Sequence, residues 1–386
     1  MKLKALTLGV ALAFPMMVQA QSSTSVTLYG IVDTAIEYVN NVYDPVTGDT
    51  HSSTHFTNLT SSVPSRWGLR GTEDLGNGLS AVFTLESGFA TSSGTSGQGN
   101  RLFGRQAWVG LKGDWGQVAF GRQYNMLFWA NLGGDIMGPN SHGLAAFDNY
   151  IPNARIDNAI TYRGDFDGFK FGASYSRGRD TQGGPLANGP ANSNCGPDYT
   201  DQSACSSWGA MLGYDAANWG VAAGYDVMRG RDGGLNYQGL DAGEKDRRFS
   251  VSGYAKFDAL KVGLLYINRK TDAAGGINNT AFAGGPLGDR SDIWSLGAAY
   301  QLSPAVTIDG SVNHLRYKNA DDKARAWYYI ARATYSFSKR TAVYASAAYM
   351  SNKGDSAHSA SSGTAGILAK PGGNSTSIMA GLRHSF

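Results

Sequence analysis

From Val26 the chain reads V-T-L-Y-G-I-V-D-T-A-I-E-Y-V, and its positions sort by parity: Asp33 and Glu37 on one side, Val32, Ile36 and Tyr38 on the other. A period of two residues marks a strand with one apolar and one polar face. The period recurs. In S-R-W-G-L-R-G, Arg66, Gly68 and Arg70 oppose Trp67 and Leu69; in L-S-A-V-F-T-L-E-S-G-F, Ser80, Thr84 and Glu86 oppose Ala81, Phe83 and Leu85. Arg248, Ser250, Ser252 and Lys256 oppose Phe249, Val251, Ala255 and Phe257, and near Trp327 the apolar parity holds Trp327, Tyr329, Ala331, Ala333 and Tyr335. Residues 261–269 do not sort cleanly. The last twelve residues, S-T-S-I-M-A-G-L-R-H-S-F, keep the alternation to the final atom, with Ile378, Ala380, Leu382, His384 and Phe386 on one face. Chain ends usually fray, so a strand that runs to the terminus needs a partner along its edge.

The connections alternate as well. Tight turns fall at 74–78, 113–116, 165–168, 215–218, 257–260, 301–304 and 336–339, and longer polar, Gly-rich stretches near 41–62, 91–100, 123–154, 178–206, 230–246, 271–290, 318–324 and 352–374. Seven short turns and eight long loops join sixteen strands. An even number brings both termini to the same end, where the first strand can pair with the last and leave no exposed edge. A soluble β-sandwich would have turns of similar length at both ends. The uneven turns, strands of about 10–13 residues and aromatics near strand ends (Tyr38, Trp115, Phe120, Trp219, Tyr300) instead predict an all-β, 16-stranded antiparallel transmembrane β-barrel.

Composition sharpens this picture. The chain opens M-K-L-K, continues with an apolar run over 5–18 and reaches Val18-Gln19-Ala20, the pattern of a signal peptide cleaved after Ala20 to leave a barrel domain over 21–386. That run of about 14 residues is too short for a spanning helix of roughly 20. Removing Lys2 and Lys4 from the 33 basic residues leaves 31 against 30 acidic ones, which argues against nucleic acid as a partner. The six histidines are scattered; His51 and His55 have metal-pair spacing only on a helix, which H-S-S-T-H does not suggest, so no metal or cofactor is expected. No nucleophile, base and orienting group stand together, so no enzyme is expected either. Cys195 and Cys205 form an even pair in an exported protein, which favours a disulfide within one loop.

The stretches S-V-T-L-Y-G-I-V-D-T, F-G-R-Q-A-W-V-G-L-K-G, F-G-R-Q-Y, R-I-D-N-A-I-T-Y-R and the ending G-L-R-H-S-F resemble Gram-negative general porins, above all the trimeric porins of β-proteobacteria. The resemblance implies an outer-membrane barrel with short periplasmic turns and long extracellular loops. It also implies a homotrimer in contact with lipid and lipopolysaccharide, a third loop folded into the lumen, and a terminal Phe386 read by the barrel-assembly machinery. The loop over 123–154 fits the lumenal role because it carries Met126, Leu127, Phe128, Trp129, Ile136, Met137, Leu144 and Phe147, too many large apolar groups for a loop in water.

Opposite that loop the lumen parity carries arginines. Arg66 and Arg70 share one face; Arg105 takes the lumen parity with Trp108 and Gly110 toward lipid; Arg155, Asp157, Thr161 and Arg163 face together. By the resemblance Arg66, Arg105 and Arg155 match the family's basic ladder, Arg70, Arg122 and Arg163 flank it, and Asp135 and Asp148 in the loop are the facing acids. Arginine stays charged when crowded by other cations, and such a wall sets a transverse field across a narrow aqueous gap. The expected function is a water-filled channel for passive diffusion of small inorganic and organic ions and other hydrophilic solutes, with a preference for anions. The alternative is a channel selective for phosphate, a sugar or an aromatic acid.

Overall fold

The computed structural model describes residues 24–148, 155–178, 201–231, 240–241, 243–273, 277, 287–318, 323–362 and 367–386. Alternation becomes strand throughout. The first six strands are β1 Ser25–Tyr43, β2 Thr50–Phe56, β3 Arg66–Gly76, β4 Leu79–Gly88, β5 Gln106–Gly113 and β6 Gly116–Tyr124. Then follow β7 Arg155–Phe166, β8 Phe169–Arg177, β9 Ser206–Asp215, β10 Trp219–Arg229, β11 Lys245–Phe257 and β12 Leu260–Thr271. The chain ends with β13 Arg290–Gln301, β14 Val306–Lys318, β15 Arg325–Ser336, β16 Thr341–Lys353 and β17 Asn374–Ser385. From β3 onward each strand pairs antiparallel with the next, for example Leu69 opposite Leu85 and Ala331 opposite Ala347.

The ring closes as the terminal residues demand. Strand β1 pairs with β17 from Ile31 opposite Ser385 to Val39 opposite Ser377. Beyond that register Gly30 and Phe386 exchange N–H···O bonds of 3.0 Å in both directions. Glycine is needed here: a Cβ on Gly30 would lie 2.3 Å from Cζ of Phe386, so the terminal ring covers the space that a side chain would occupy.

The stretch over 41–62, expected as a loop, contains strand β2. Strand β1 pairs with β3 over Ser25–Ile31 and with β2 over Ile36–Tyr43, so β2 and β3 are two halves of one stave. Seventeen strands thus make a sixteen-stave barrel. Between the halves, hydroxyl groups replace the missing ladder: Asp33 N donates to Ser65 Oγ (2.9 Å), Ala35 N to Thr57 Oγ1 (3.1 Å), and Ser65 Oγ to Asp33 O (2.8 Å). A spanning wall tolerates no unmet amide, which explains the hydroxyl side chains at Thr57, Ser61 and Ser65.

Outside, the barrel is apolar and bare: Val32, Ile36, Leu111, Phe171, Leu212, Leu264, Leu296 and Ile378 are all exposed. At the short-turn end Trp115, Trp219, Phe257, Tyr300 and Phe337 ring the wall, and at the other end Tyr38, Tyr175, Trp208, Trp294 and Trp327 do so. Strands of about 12 residues, rising about 3.3 Å each and tilted about 45°, cover roughly 28 Å, the height of a hydrocarbon layer.

Inside, one sector departs from a small, polar lining. Leu265, Ile267, Ile293, Leu315, Tyr328, Ile330 and Met350 point inward and are buried with Met137, Leu144 and Phe147 of the third long loop. This resolves the ambiguity of 261–269: Leu264 faces outward and Leu265 and Ile267 face the loop, so both faces of β12 are apolar.

Candidate functional site

The third loop enters the lumen directly after β6. Asn125 caps its first helical turn, Met126–Asn131, by accepting from Phe128 N at 3.0 Å, while its Nδ2 donates to Asp226 Oδ2 on β10 at 2.8 Å. Leu127 packs on Met228, and Ser252 Oγ of β11 donates to Ala130 O. The loop then passes close to β12 and β13, where a Cβ on Gly263 or Gly297 would collide with Ile136. Its tip reaches the opposite edge of that sector: Ser141 N donates to Ser61 O at 3.0 Å. His142 Nε2 lies 3.1 Å from Glu37 Oε1 and 2.8 Å from Ser377 Oγ, with Nδ1 2.7 Å from Ser346 Oγ. A carboxylate only accepts, so the Nε2 proton is directed at Glu37 and Nδ1 accepts from Ser346. This Ser–His–Glu contact has the partners of a hydrolase triad, but all three residues are sealed in the wall, and it serves as a clasp for the loop.

The return limb is pinned too. His358 of the last long loop donates through Nδ1 to Ala146 O at 2.8 Å and faces Tyr317 OH through Nε2 at 2.9 Å. Burial pushes the His358 imidazole down to about 4. Asp148 accepts from Arg248 Nε and Nη2 at 3.0 and 2.9 Å, with Arg269 at 3.9 Å, and both arginines also bind Asp246. The described loop therefore lies along the inner wall from β8 round to β1, touches β6 and β7 through Phe128 stacked 3.9 Å from Tyr124 and Trp129 beside Arg163, and leaves the β3–β5 sector uncovered.

The basic residues expected from the sequence converge where that sector meets the loop's first turn, beside Tyr124. Arg105 Nε donates to Glu86 Oε1 at 2.7 Å and its Nη2 to Tyr124 OH at 2.8 Å. Arg66 Nε lies 3.5 Å from Glu86 Oε2, and Tyr29 OH donates to the same oxygen at 3.0 Å. Arg155 Nη2 donates to Tyr124 OH at 3.2 Å, its guanidinium 5.0 Å from the Tyr124 ring centre. Three cations thus surround one carboxylate and one phenol. Arg105 and Arg155 are buried and Arg66 is the half-buried member.

The flanking residues separate. Arg122 pairs with Asp157 and donates to Gly104 O at 2.7 Å. Arg70 is exposed toward the short-turn end beside Tyr29, at 5.3 Å, and Arg163 lies 4.0 Å over the Trp129 ring. The two loop acids also differ in setting. Asp148 is buried against Arg248. Asp135 is half-buried and accepts from Gly138 N at 3.0 Å; loss of hydration raises its carboxyl to about 6, against those amide bonds and the nearby Lys261 and Arg332. Cys205 is disulfide-bonded, and Cys195 lies outside the described residues.

One parity assignment needs correcting. Trp108 and Gly110 pair with Thr84 and Val82, so they share the lumen parity of Glu86, while Val109 and Leu111 face outward. Arg105 precedes β5 and turns inward outside its alternation. Glu86 sat on the predicted lumen face without a role, and Arg248 on the polar parity of β11 was the available sign of the loop anchor. His142 gave no signal, because its partners come from β1, β16 and β17.

A closed barrel with an apolar outer band, aromatic girdles and an internal loop opposite a charged wall defines a transmembrane β-barrel channel. A sequence profile of the Gram-negative porin family matches residues 5–355. An outer membrane porin protein of Bordetella pertussis is 30% identical over 409 aligned residues, covering 95% of this chain and 96% of that one. Outer membrane porin protein 32 of Delftia acidovorans is 29% identical over 95% of each chain. Among solved structures, the anion-selective porin of Comamonas acidovorans superimposes with a TM-score of 0.72 at 25% identity, over 94% of this chain and 100% of that one. The chain belongs to the Gram-negative porin family and resides in the outer membrane as a channel-forming β-barrel.

Proposed function

We propose that the channel prefers anions and that Arg66, Arg105 and Arg155 are the wall that sets the preference. The observation that carries this reading is the concentration of cations at this wall: Arg66 and Arg105, two guanidiniums, share one carboxylate, Glu86, and Arg155 joins them through Tyr124. On the loop side Asp148 is neutralised by Arg248, which leaves Asp135 as the loop acid that bears on the permeating ion. In a narrow lumen with low-dielectric walls such an excess raises the local anion concentration. The anion selectivity of the similar Comamonas porin supports the same sign. The resemblance to trimeric β-proteobacterial porins supports a homotrimer, with residues 1–20 as its removable leader and Phe386 as its assembly signal.

Replacing Arg105 by Ser removes one of the two guanidiniums at Glu86 and leaves that carboxylate with Arg66 and Tyr29. The chloride-to-potassium permeability ratio, read from reversal potentials across a salt gradient in planar bilayers, is expected to fall by about fourfold, since one charge acting through about 10 Å of water shifts each ion about twofold and in opposite directions. An unchanged ratio would remove Arg105 from the selectivity wall.

A further inference from the structure

On the short-turn side of the third loop the lumen opens into a cavity of about 890 Å³. Its roof is the loop's helical turn, through Trp129 and Ala130, and its walls are the turn-proximal ends of strands from β5 to β12. The charges are unbalanced. Lys112, Arg163, Lys170, Lys256 and Lys261 meet Asp114, Asp165 and Asp215, five cations against three acids. Lys170 is taken up by Asp215. Arg163 forms no ion pair with any described carboxylate; its guanidinium lies over the face of Trp129. Lys256 and Lys261 hold their Nζ atoms 5.5 and 5.0 Å from the ring centre of Tyr254.

A cation held over an aromatic face keeps its N–H donors available to an anion. The planar fork of arginine matches a carboxylate in two parallel bonds. Each of the two cationic centres therefore offers charge and a flat apolar surface together, and the volume lies within the range of about 300–1,000 Å³ common for small-molecule sites. A small inorganic anion would use the charge and leave both rings idle.

We propose that this cavity is a binding site for aromatic carboxylates, a way station on the short-turn side of the constriction. The ligand's carboxylate accepts from Arg163, its ring lies beside Trp129, and Lys256 and Lys261 hold it from the Tyr254 side. The proposal rests on the anion-preferring reading above.

The test is single-channel recording of the purified protein in potassium chloride, with 4-hydroxybenzoate, cyclohexanecarboxylate or inorganic phosphate added to the short-turn side. Saturable reduction of the chloride current is expected with 4-hydroxybenzoate at concentrations where the other two anions have little effect. Arg163→Gln is expected to weaken that block about tenfold, the loss of one charge-assisted hydrogen bond, and Tyr254→Leu to weaken it as well. Equal block by all three anions, or block insensitive to both substitutions, would overturn the site while leaving chloride preference intact. A wild-type reversal potential favouring potassium in the same recordings would instead remove the reading beneath it.

Discussion

Single residues in this lumen act through what their neighbours leave uncompensated. Glu86 is held by Arg66, Arg105 and Tyr29, so its negative charge is spent locally and the surplus belongs to the arginines. Asp135 is the converse case, an acid whose burial holds its carboxyl near 6. As pH falls from 7 to 5 this group takes up a proton and the lumen loses one negative charge, so preference for chloride should rise, by about fourfold for one charge at about 10 Å in water, which shifts each ion about twofold in opposite directions. Asp135→Asn should show the pH 5 ratio already at pH 7 and no further change. A wild-type ratio flat across that interval would show that Asp135 does not act on the permeating ion.

Elements in this barrel are read on two faces, and which face a residue serves depends on what covers it. Strand β12 is apolar inward as well as outward because the third loop docks there, and a period of two cannot be seen where both parities are hydrophobic. The seven turns, the sixteen staves and the inward loop were legible because each follows from local alternation or loop composition. Strand β2 was not, since T-H-S-S-T-H-F is polar and pairs with the part of β1 that rises beyond β3. The loop's clasps were also hidden, because Glu37, His142, Ser346 and Ser377 meet only once the ring has closed. His358 is the clasp with a pH signature. Its folded value near 4 lies below the ordinary value of about 6.5, so between those limits the unfolded chain binds a proton that the folded protein refuses. Stability is therefore complete above about pH 6.5 and falls as pH drops toward 4, by at most about 3 kcal/mol. Thermal unfolding of the purified protein should show this slope, and His358→Asn, whose amide can stand in for the Nδ1 donor to Ala146, should flatten it. Identical slopes in the two proteins would place the acid sensitivity elsewhere.

At the scale of the whole molecule, closure concentrates on one seam. The β1–β17 pairing ends in the reciprocal Gly30–Phe386 bonds, and the terminal ring lies where a Gly30 side chain would be. Gly30→Val should displace Phe386 and lower stability by about 1–3 kcal/mol, the usual cost of overpacking. Adding Phe386→Ala removes the collision, so the double variant should be less destabilised than the sum of the two single ones, a coupling that a thermal or denaturant cycle measures. Strict additivity would show that the two residues do not share the space.

The interrupted stave between β2 and β3 bears on how the aperture came to be narrow. Residues 57–65 leave the cylinder, and Ser61 and Ser62 turn inward to meet the loop's tip, Arg332 and Arg383. The gateway therefore has two jambs, one from an insertion and one cut from the wall, and excising the insertion would still leave a doorway with one post standing.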